Sequence, residues 1–229
     1  MRTLPAQAML QAAVFVLFAS SCSSLPETGA LDDAVIQEIS AHEISFPAVI
    51  NQDGFENGSM PGYHAIVFKG GRSAASSLFI AGVTDVQVLD ALESLGAKPG
   101  PTLSMETWDA RDEPGNPAAE TVIHGPPVEI LVLAPGADTA RPLSSLLMDD
   151  AGRGLQMRLG GNRQNISVWH SGCVACLYSC PGSKIGNAAY TVRDWVNGTT
   201  HFTVKPGSLP ADGSRVEIIL RLTDAPEPG

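Results

Sequence analysis

The chain has 229 residues, 44% of them hydrophobic, which is enough for one domain with a substantial core. It carries 14 Lys and Arg against 24 Asp and Glu, a net charge of -10. Nucleic acids and anionic lipid surfaces attract basic proteins, so this balance argues against nucleic-acid binding and against membrane docking through charge.

The N-terminal stretch predicts a lipoprotein signal peptide over residues 1–21. Arg2 precedes an apolar run that is too short to span a membrane, and small residues then lead into Cys22. This pattern resembles a bacterial lipoprotein box, in which the chain is cut before the cysteine and the cysteine receives a lipid. The alternative is an ordinary secretory signal with an incidental cysteine.

In the lipoprotein interpretation, Cys22 is the lipidation site. The protein then attaches to the membrane through its lipid anchor. This interpretation places the protein in the cell envelope, facing the periplasm or on the outer membrane. In such lipoproteins an aspartate after the cysteine favours retention in the inner membrane, and this chain has Ser23 there instead, which favours the outer membrane. Composition then predicts a lipidated tether over residues 22–43, one folded domain over 44–224 and a disordered tail over 225–229.

Short β-rich runs dominate the predicted domain, and they do not alternate regularly with helices. This pattern predicts an α+β domain with a mixed or antiparallel sheet, one main helix and one or two short helices. The predicted strands are residues 44–50, 63–69, 77–83, 128–134, 155–161, 201–205 and 215–222. A short helix is predicted within 141–150, and the polar segment 105–120 is predicted to be a loop.

The main helix is predicted over about residues 85–95. Thr84 can cap its start, and Gly96 follows its end. Apolar residues recur at spacings of three and four, as on the buried face of an amphipathic helix. They are Val88, Leu89, Leu92 and Leu95.

Three cysteines lie close together near the end of the domain. Cys173-x2-Cys176-x3-Cys180-Pro181 matches the last three cysteines of the bacterial ferredoxin motif, and His170 stands where the first would be. Thiolates and imidazole are ligands of zinc and of iron–sulfur clusters, so a Cys3His centre is one hypothesis. On a helix the three cysteines would share a face, and Pro181 would end it.

Other interpretations of the cysteines remain open at this stage. The cell envelope is oxidising, and no second cysteine run accompanies the first, as it does in two-cluster ferredoxins. A local disulfide, Cys173–Cys176 or Cys176–Cys180, would leave one free thiol, and three reduced buried cysteines are the third possibility. The remaining histidines, at 42, 64, 124 and 201, stand singly, which is typical of structural or surface residues.

Three stretches of the sequence resemble the YdjY-type domain of bacterial envelope proteins and lipoproteins. They are HAIVFKGG, SLFIAGVTDVQVLDALESLGAKPG and GGNRQN followed by SGCVACLYSCPGSKIGN, within residues 44–190. The resemblance implies a strand carrying His64 and a helix ending in the turn 96–100. It also implies the cysteine-containing branch, for which ferredoxin-like behaviour has been suggested. The resemblance therefore predicts the architecture of the domain, but it does not predict an activity.

Two functional hypotheses follow. The first is a non-enzymatic envelope lipoprotein that acts as a binding or redox-support module through its cysteine segment. The second is an electron-transfer or thiol-exchange protein that carries an iron–sulfur cluster or zinc on His170, Cys173, Cys176 and Cys180.

Overall fold

The computed structural model describes residues 31–223. The predicted signal peptide, the lipidation site Cys22 and the predicted tail 225–229 lie outside the described residues. Within 31–223, no helix is both long enough and apolar enough to cross a membrane.

The described part of the chain folds into twelve β-strands and six short α-helices. The strands are β1 (Gln37–Ser40), β2 (Glu43–Ile50), β3 (His64–Phe68), β4 (Ser77–Ala81), β5 (Val128–Leu133), β6 (Arg141–Pro142), β7 (Leu147–Asp149), β8 (Met157–Leu159), β9 (Cys173–Cys176), β10 (Ile185–Asn187), β11 (Phe202–Val204) and β12 (Arg215–Leu222). The helices are α1 (Gln52–Asn57), α2 (Asp85–Ser94), α3 (Glu106–Asp109), α4 (Leu143–Leu146), α5 (Ile166–Trp169) and α6 (Val192–Val196).

Ten strands form one mixed sheet, which confirms the predicted α+β fold. Its order is β6-β5-β12-β2-β4-β3-β9-β10-β8, with β1 added beside β2. The β3–β4 and β9–β10 pairs are parallel, and the other pairs of this sheet are antiparallel. Strands β7 and β11 form a separate antiparallel pair.

The large sheet curls until its last strand approaches its other end. Pro127, just before β5, forms an antiparallel bridge with Arg158 of β8. The amide of Leu159 also donates a hydrogen bond to the carbonyl of Pro126 at 2.9 Å. In the strand order, β3 and β9 each have a neighbour on both sides, and both strands are buried almost throughout.

Helix α2 forms as its sequence predicts. Thr84 and Gln87 make a reciprocal capping box at the start, and Gly96 adopts a positive φ of 88° after the end. Val88, Leu89 and Leu92 are fully buried, and Leu95 is partly buried against the same core. The helix contacts β9 and so supports the strand that carries two of the cysteines.

Other boundaries differ from the predicted ones. Residues before 44 already belong to the folded domain: Leu31 is fully buried, and β1 pairs with β2. The predicted loop 105–120 contains α3 and two short 3-10 turns. The short helix predicted within 141–150 is α4, which lies between β6 and β7.

Candidate functional site

Cys173 and Cys176 lie at the two ends of strand β9, so the predicted helix through the cysteine segment is wrong. The segment is β because it is an apolar, fully buried run placed between β3 and β10. A regular strand of this length would separate its terminal Cα atoms by about 10 Å and turn their side chains to opposite faces.

Irregular pairing between β9 and β3 brings the two cysteines together. The register shifts twice, with His64 opposite Cys176 and Val67 opposite Cys173. The Cα atoms of the two cysteines are therefore only 6.8 Å apart, and their sulfurs lie at disulfide-bonding distance.

The imidazole of His64 faces both sulfurs from the first residue of β3. Its Nδ1 lies 3.4 Å from the Sγ of Cys176 and 3.7 Å from the Sγ of Cys173. The three potential ligand atoms lie within 4.8 Å of one another. His64 is 4% exposed, and the two cysteines are 1% and 0% exposed. We refer to His64, Cys173 and Cys176 as the sulfur–imidazole cluster.

Burial controls the protonation of this histidine. Desolvation lowers the pKa of His64 to about 4, so the ring is neutral at neutral pH. A neutral imidazole carries one lone pair for a metal ion or a hydrogen bond. The second ring nitrogen, Nε2, is buried and has no hydrogen-bond partner among the described residues.

His170, the histidine predicted to join the cysteines, does not lie in the cluster. It follows α5 in a left-handed conformation with φ 49°, and its side chain is exposed. Gly172, with φ 68°, turns the chain again before β9 begins. These two turns direct the chain from the surface at His170 into the core at Cys173.

Cys180 is buried and free, and it does not belong to the sulfur–imidazole cluster. It lies in the turn after β9, where its sulfur accepts a hydrogen bond from the amide of Gly182 at 3.3 Å. Burial raises the pKa of Cys180 and keeps it a thiol, although hydrogen bonding from Tyr63 acts in the opposite direction.

Two asparagines hold the turn that carries Cys180. The side-chain amide of Asn162 donates to the carbonyls of Cys180 and Ser183 at 3.1 and 2.7 Å. Asn165 donates to the carbonyl of Pro181 at 2.8 Å. The GGNRQN stretch therefore fixes the backbone of the cysteine segment from outside the sheet.

A buried ion pair supports the same turn. The ammonium of Lys184 donates to the carbonyl of Gly182 at 2.9 Å and lies 3.4 Å from the carboxylate of Asp85, the first residue of α2. Burial lowers the pKa of Lys184, and Asp85 opposes this shift. The pair joins α2 to the cysteine turn.

All three tryptophans and all three tyrosines of the sequence form one aromatic group beside the cluster. Tyr63 lies at its centre, with its ring centroid 4.8 Å from that of His64 and 5.0 Å from that of Trp195. Trp108 and Trp169 meet edge to face at 5.2 Å. The group shields the sulfurs and the imidazole from solvent.

A cavity of about 60 Å³ lies between the aromatic group and the cluster. Tyr63, His64, Cys173 and Cys180 contribute to its wall, and Trp108 and Trp169 also line it. The cavity therefore lies beside both the clustered sulfurs and the free thiol.

Fold and site together define the class of protein as a single α+β domain with a buried pair of sulfurs facing an imidazole. The sequence model of the YdjY domain matches residues 35–221, and the chain belongs to the YdjY family. It is 30% identical over 162 residues to "Uncharacterized protein YdjY" of Escherichia coli (strain K12), covering 70% of this chain and 68% of that protein. No solved structure matches.

Sequence reasoning did not place His64 beside the cysteines. The YdjY resemblance implies a strand that carries His64, but nothing local connects this residue with cysteines more than 100 residues later in the chain. The pairing of β3 with β9 creates the contact. The only available signal was that His64 and the three cysteines all fall on motifs of the YdjY resemblance.

Proposed function

We propose that the protein is a redox-controlled metal-binding module of the cell envelope. In the reduced state, the thiolates of Cys173 and Cys176 and the Nδ1 of His64 bind one zinc ion. Oxidation by a small peroxide, which takes up two electrons and two protons and is reduced to water, joins the two sulfurs in a disulfide and releases the ion. The convergence of one imidazole nitrogen on both buried sulfurs supports this proposal.

The distances within the cluster suit a single tetrahedral ion. With usual zinc–sulfur and zinc–nitrogen bond lengths, tetrahedral geometry separates nitrogen and sulfur ligands by about 3.6 Å. The two separations here are 3.4 and 3.7 Å. The sulfurs must move apart to about 3.8 Å when the disulfide is reduced and the ion binds.

Charge also favours zinc at this buried position. Two thiolates and a neutral imidazole carry two negative charges, which one divalent ion balances, so no net charge is buried. A cluster of the ferredoxin type requires four ligands, whereas the structure gathers three potential ligands among residues 31–223. We therefore propose a single ion in place of the iron–sulfur alternative.

Thiol exchange with another protein is the second candidate, because the two sulfurs lie at bonding distance. Exchange requires an attacking thiolate to reach one of the sulfurs. Both sulfurs are at most 1% exposed. We therefore assign the disulfide the role of a switch that controls the metal site.

The test is cobalt(II) binding to the reduced protein under anaerobic conditions, followed by the visible spectrum and by competition with zinc. We expect one equivalent to bind with a thiolate-rich tetrahedral spectrum. His64→Ala should weaken metal binding by more than about a hundredfold. Mutation of a residue that only orients a metal ligand already costs about 10–100-fold in metal affinity, and His64 is a proposed ligand itself. His170→Ala is the matched control and should bind as the wild type does.

Two results would exclude the proposed metal site. One is a reduced wild-type protein that binds no cobalt or zinc although its thiols titrate as free. The other is metal binding that survives His64→Ala but is lost in His170→Ala. That result would make the surface residue His170 the ligand in place of His64.

The envelope location is part of the proposal, and it is supported by the signal-like sequence that ends at Cys22. We propose that Cys22 carries the lipid that attaches the domain to the membrane. Labelled fatty acid should be incorporated into the wild-type protein and not into Cys22→Ser. A wild-type protein without lipid would remove the anchor and leave the metal site untouched.

A further inference from the structure

The two cysteines of the sulfur–imidazole cluster differ in their position relative to the small cavity. Cys173 is among the described residues that line the cavity, whereas Cys176 is not. Both residues are buried, so a large reactant cannot approach either sulfur from the surface. A molecule small enough to enter the cavity would therefore reach the sulfur of Cys173 before that of Cys176.

The wall of the cavity has a buried side and a partly exposed side. His64, Ser171 and Cys173 belong to the buried side. Four other wall residues are only partly buried: Met60, Ser73, Trp108 and Trp169. These four residues place one side of the cavity close to solvent, so a small solute has a short path to Cys173.

The volume of the cavity limits the solute to a few atoms. A single buried water requires about 10–15 Å³ on a comparable measure, and this cavity has about 60 Å³. Hydrogen peroxide is little larger than water and fits, and it is uncharged, so it adds no net charge to the buried site. A hydroperoxide with an aromatic group does not fit unless an indole moves, because Trp108 and Trp169 pack edge to face at 5.2 Å.

Cys180 also lines the cavity, and its thiol is therefore the competing target for an oxidant. Oxidation follows thiolate character, because the thiolate is the nucleophile. In the proposed zinc site Cys173 is bound as a thiolate. Cys180 does not belong to the cluster, so the proposed ion does not hold it in that form. An oxidant in the cavity should therefore react first with Cys173.

We propose that the cavity admits hydrogen peroxide to the reduced, zinc-bound protein and that Cys173 is the sulfur that is oxidised first. This inference rests on the proposed function, whose oxidation step it assigns to one oxidant, one entry site and one sulfur. Larger hydroperoxides are excluded by the tryptophan side of the wall.

The reaction has two steps. The thiolate of Cys173 attacks one oxygen of the peroxide, so an S–O bond forms, the O–O bond breaks and hydroxide leaves. The thiolate of Cys176 then attacks the sulfur of Cys173, so the disulfide forms, the S–O bond breaks and a second hydroxide leaves. The sulfurs supply the two electrons, and two protons from solvent convert the hydroxides to water. The zinc ion loses both sulfur ligands and is released.

The first experiment identifies the attacked sulfur with Cys173→Ser and Cys176→Ser, both made in a protein that also carries Cys180→Ser. Each variant lacks one proposed zinc ligand and cannot form a disulfide within the chain, so a difference between them reports access to the remaining sulfur. The reduced variants are treated with hydrogen peroxide in the presence of dimedone, which labels sulfenic acids. We expect labelling of Cys173 in Cys176→Ser and at least about tenfold slower labelling of Cys176 in Cys173→Ser.

The second experiment measures zinc release from the reduced, zinc-loaded protein. Hydrogen peroxide and cumene hydroperoxide are compared on the wild type, Trp169→Ala and Trp195→Ala. Trp195→Ala is the matched control, because Trp195 is a partly buried member of the same aromatic group and does not line the cavity. We expect hydrogen peroxide to release zinc from all three proteins. Cumene hydroperoxide should release it only from Trp169→Ala, where one wall of the cavity is missing.

The zinc content of the reduced wild type, measured first, separates the two proposals. A reduced wild type that holds no zinc would overturn the proposed function and this inference with it. If zinc binds, equal or faster labelling of Cys176 would overturn the inference and leave the metal site intact. The same conclusion would follow if cumene hydroperoxide released zinc from the wild type as fast as hydrogen peroxide does, or equally from the two tryptophan variants.

Cys180→Ser alone tests the competing thiol. This variant should bind zinc and release it to hydrogen peroxide at the rate of the wild type. Normal zinc binding with much slower release would make Cys180 the sulfur that is attacked first and would overturn the assignment to Cys173.

Discussion

Helix α2 and the sulfur–imidazole cluster lie against each other, yet they depend on the sequence in different ways. The capping box, the buried face and the terminal glycine of α2 all lie within one short segment. The cluster joins His64 to cysteines 109 and 112 residues away. A local pattern specifies the first, whereas only the pairing of two strands creates the second. The stability of α2 should therefore respond to packing changes, whereas the sulfur–imidazole cluster should respond to pH and to oxidation or reduction.

The largest expected effect is on packing at α2. Leu92 is fully buried, so Leu92→Ala should lower the free energy of unfolding by about 2–5 kcal/mol. Leu95→Ala, at a partly buried position of the same face, should cost distinctly less. Denaturant unfolding of both variants provides the measurement. Equal losses would mean that the buried face has been assigned incorrectly.

The next effect is a pH dependence that the cluster imposes on the oxidised, metal-free protein. The pKa of His64 is lowered to about 4 from an ordinary value of 6.5, so the unfolded chain binds the proton more readily. Stability should therefore be complete above about pH 6.5 and fall by about 3 kcal/mol as pH drops through 4.

Unfolding of His64→Gln over the same pH range isolates this contribution. The variant should lose most of the slope between pH 6.5 and 4, and His170→Gln should keep it. An unchanged slope in His64→Gln would show that other groups cause the acid sensitivity.

Reduction should have a smaller effect on stability. A disulfide between residues three apart closes a very short loop, which in the chain-entropy model contributes about 2 kcal/mol. Thiol reduction should therefore lower the free energy of unfolding by about that amount, and added zinc should restore it. Zinc that stabilises the oxidised protein equally would contradict the proposed switch.

The smallest expected effect is at the cap of α2. Thr84 accepts a hydrogen bond from the amide of Gln87 at 3.1 Å, and the residue is partly buried. Thr84→Ala should cost about 1 kcal/mol and should leave metal binding unchanged. A loss of metal affinity in this variant would show that the helix and the cluster are coupled more tightly than the structure indicates.

The sequence was sufficient for features with a local cause. The α+β class, the burial of Val88, Leu89 and Leu92, and the long strands β2, β5 and β12 follow from hydrophobic spacing. Spacing was misleading at the cysteines, because steps of three and four residues suit a helix. A strand with register shifts also brings Cys173 and Cys176 together.

Local sequence also could not show which histidine lies beside the sulfurs, because that contact depends on strand pairing. His170 is three residues from Cys173 in sequence, but two left-handed turns leave it at the surface. His64 reaches the sulfurs only because β3 is the neighbour of β9 in the sheet. Strand order depends on the packing of the whole domain, which no short pattern in this chain reveals.

The most direct test of the proposed metal site is zinc X-ray absorption spectroscopy on the reduced, zinc-loaded protein. We expect two sulfur ligands at about 2.3 Å and nitrogen at about 2.0–2.1 Å, with the nitrogen scattering of imidazole lost in His64→Ala. A zinc ion surrounded only by oxygen and nitrogen, or an unchanged imidazole signal in His64→Ala, would contradict the assignment of His64, Cys173 and Cys176 as the metal site.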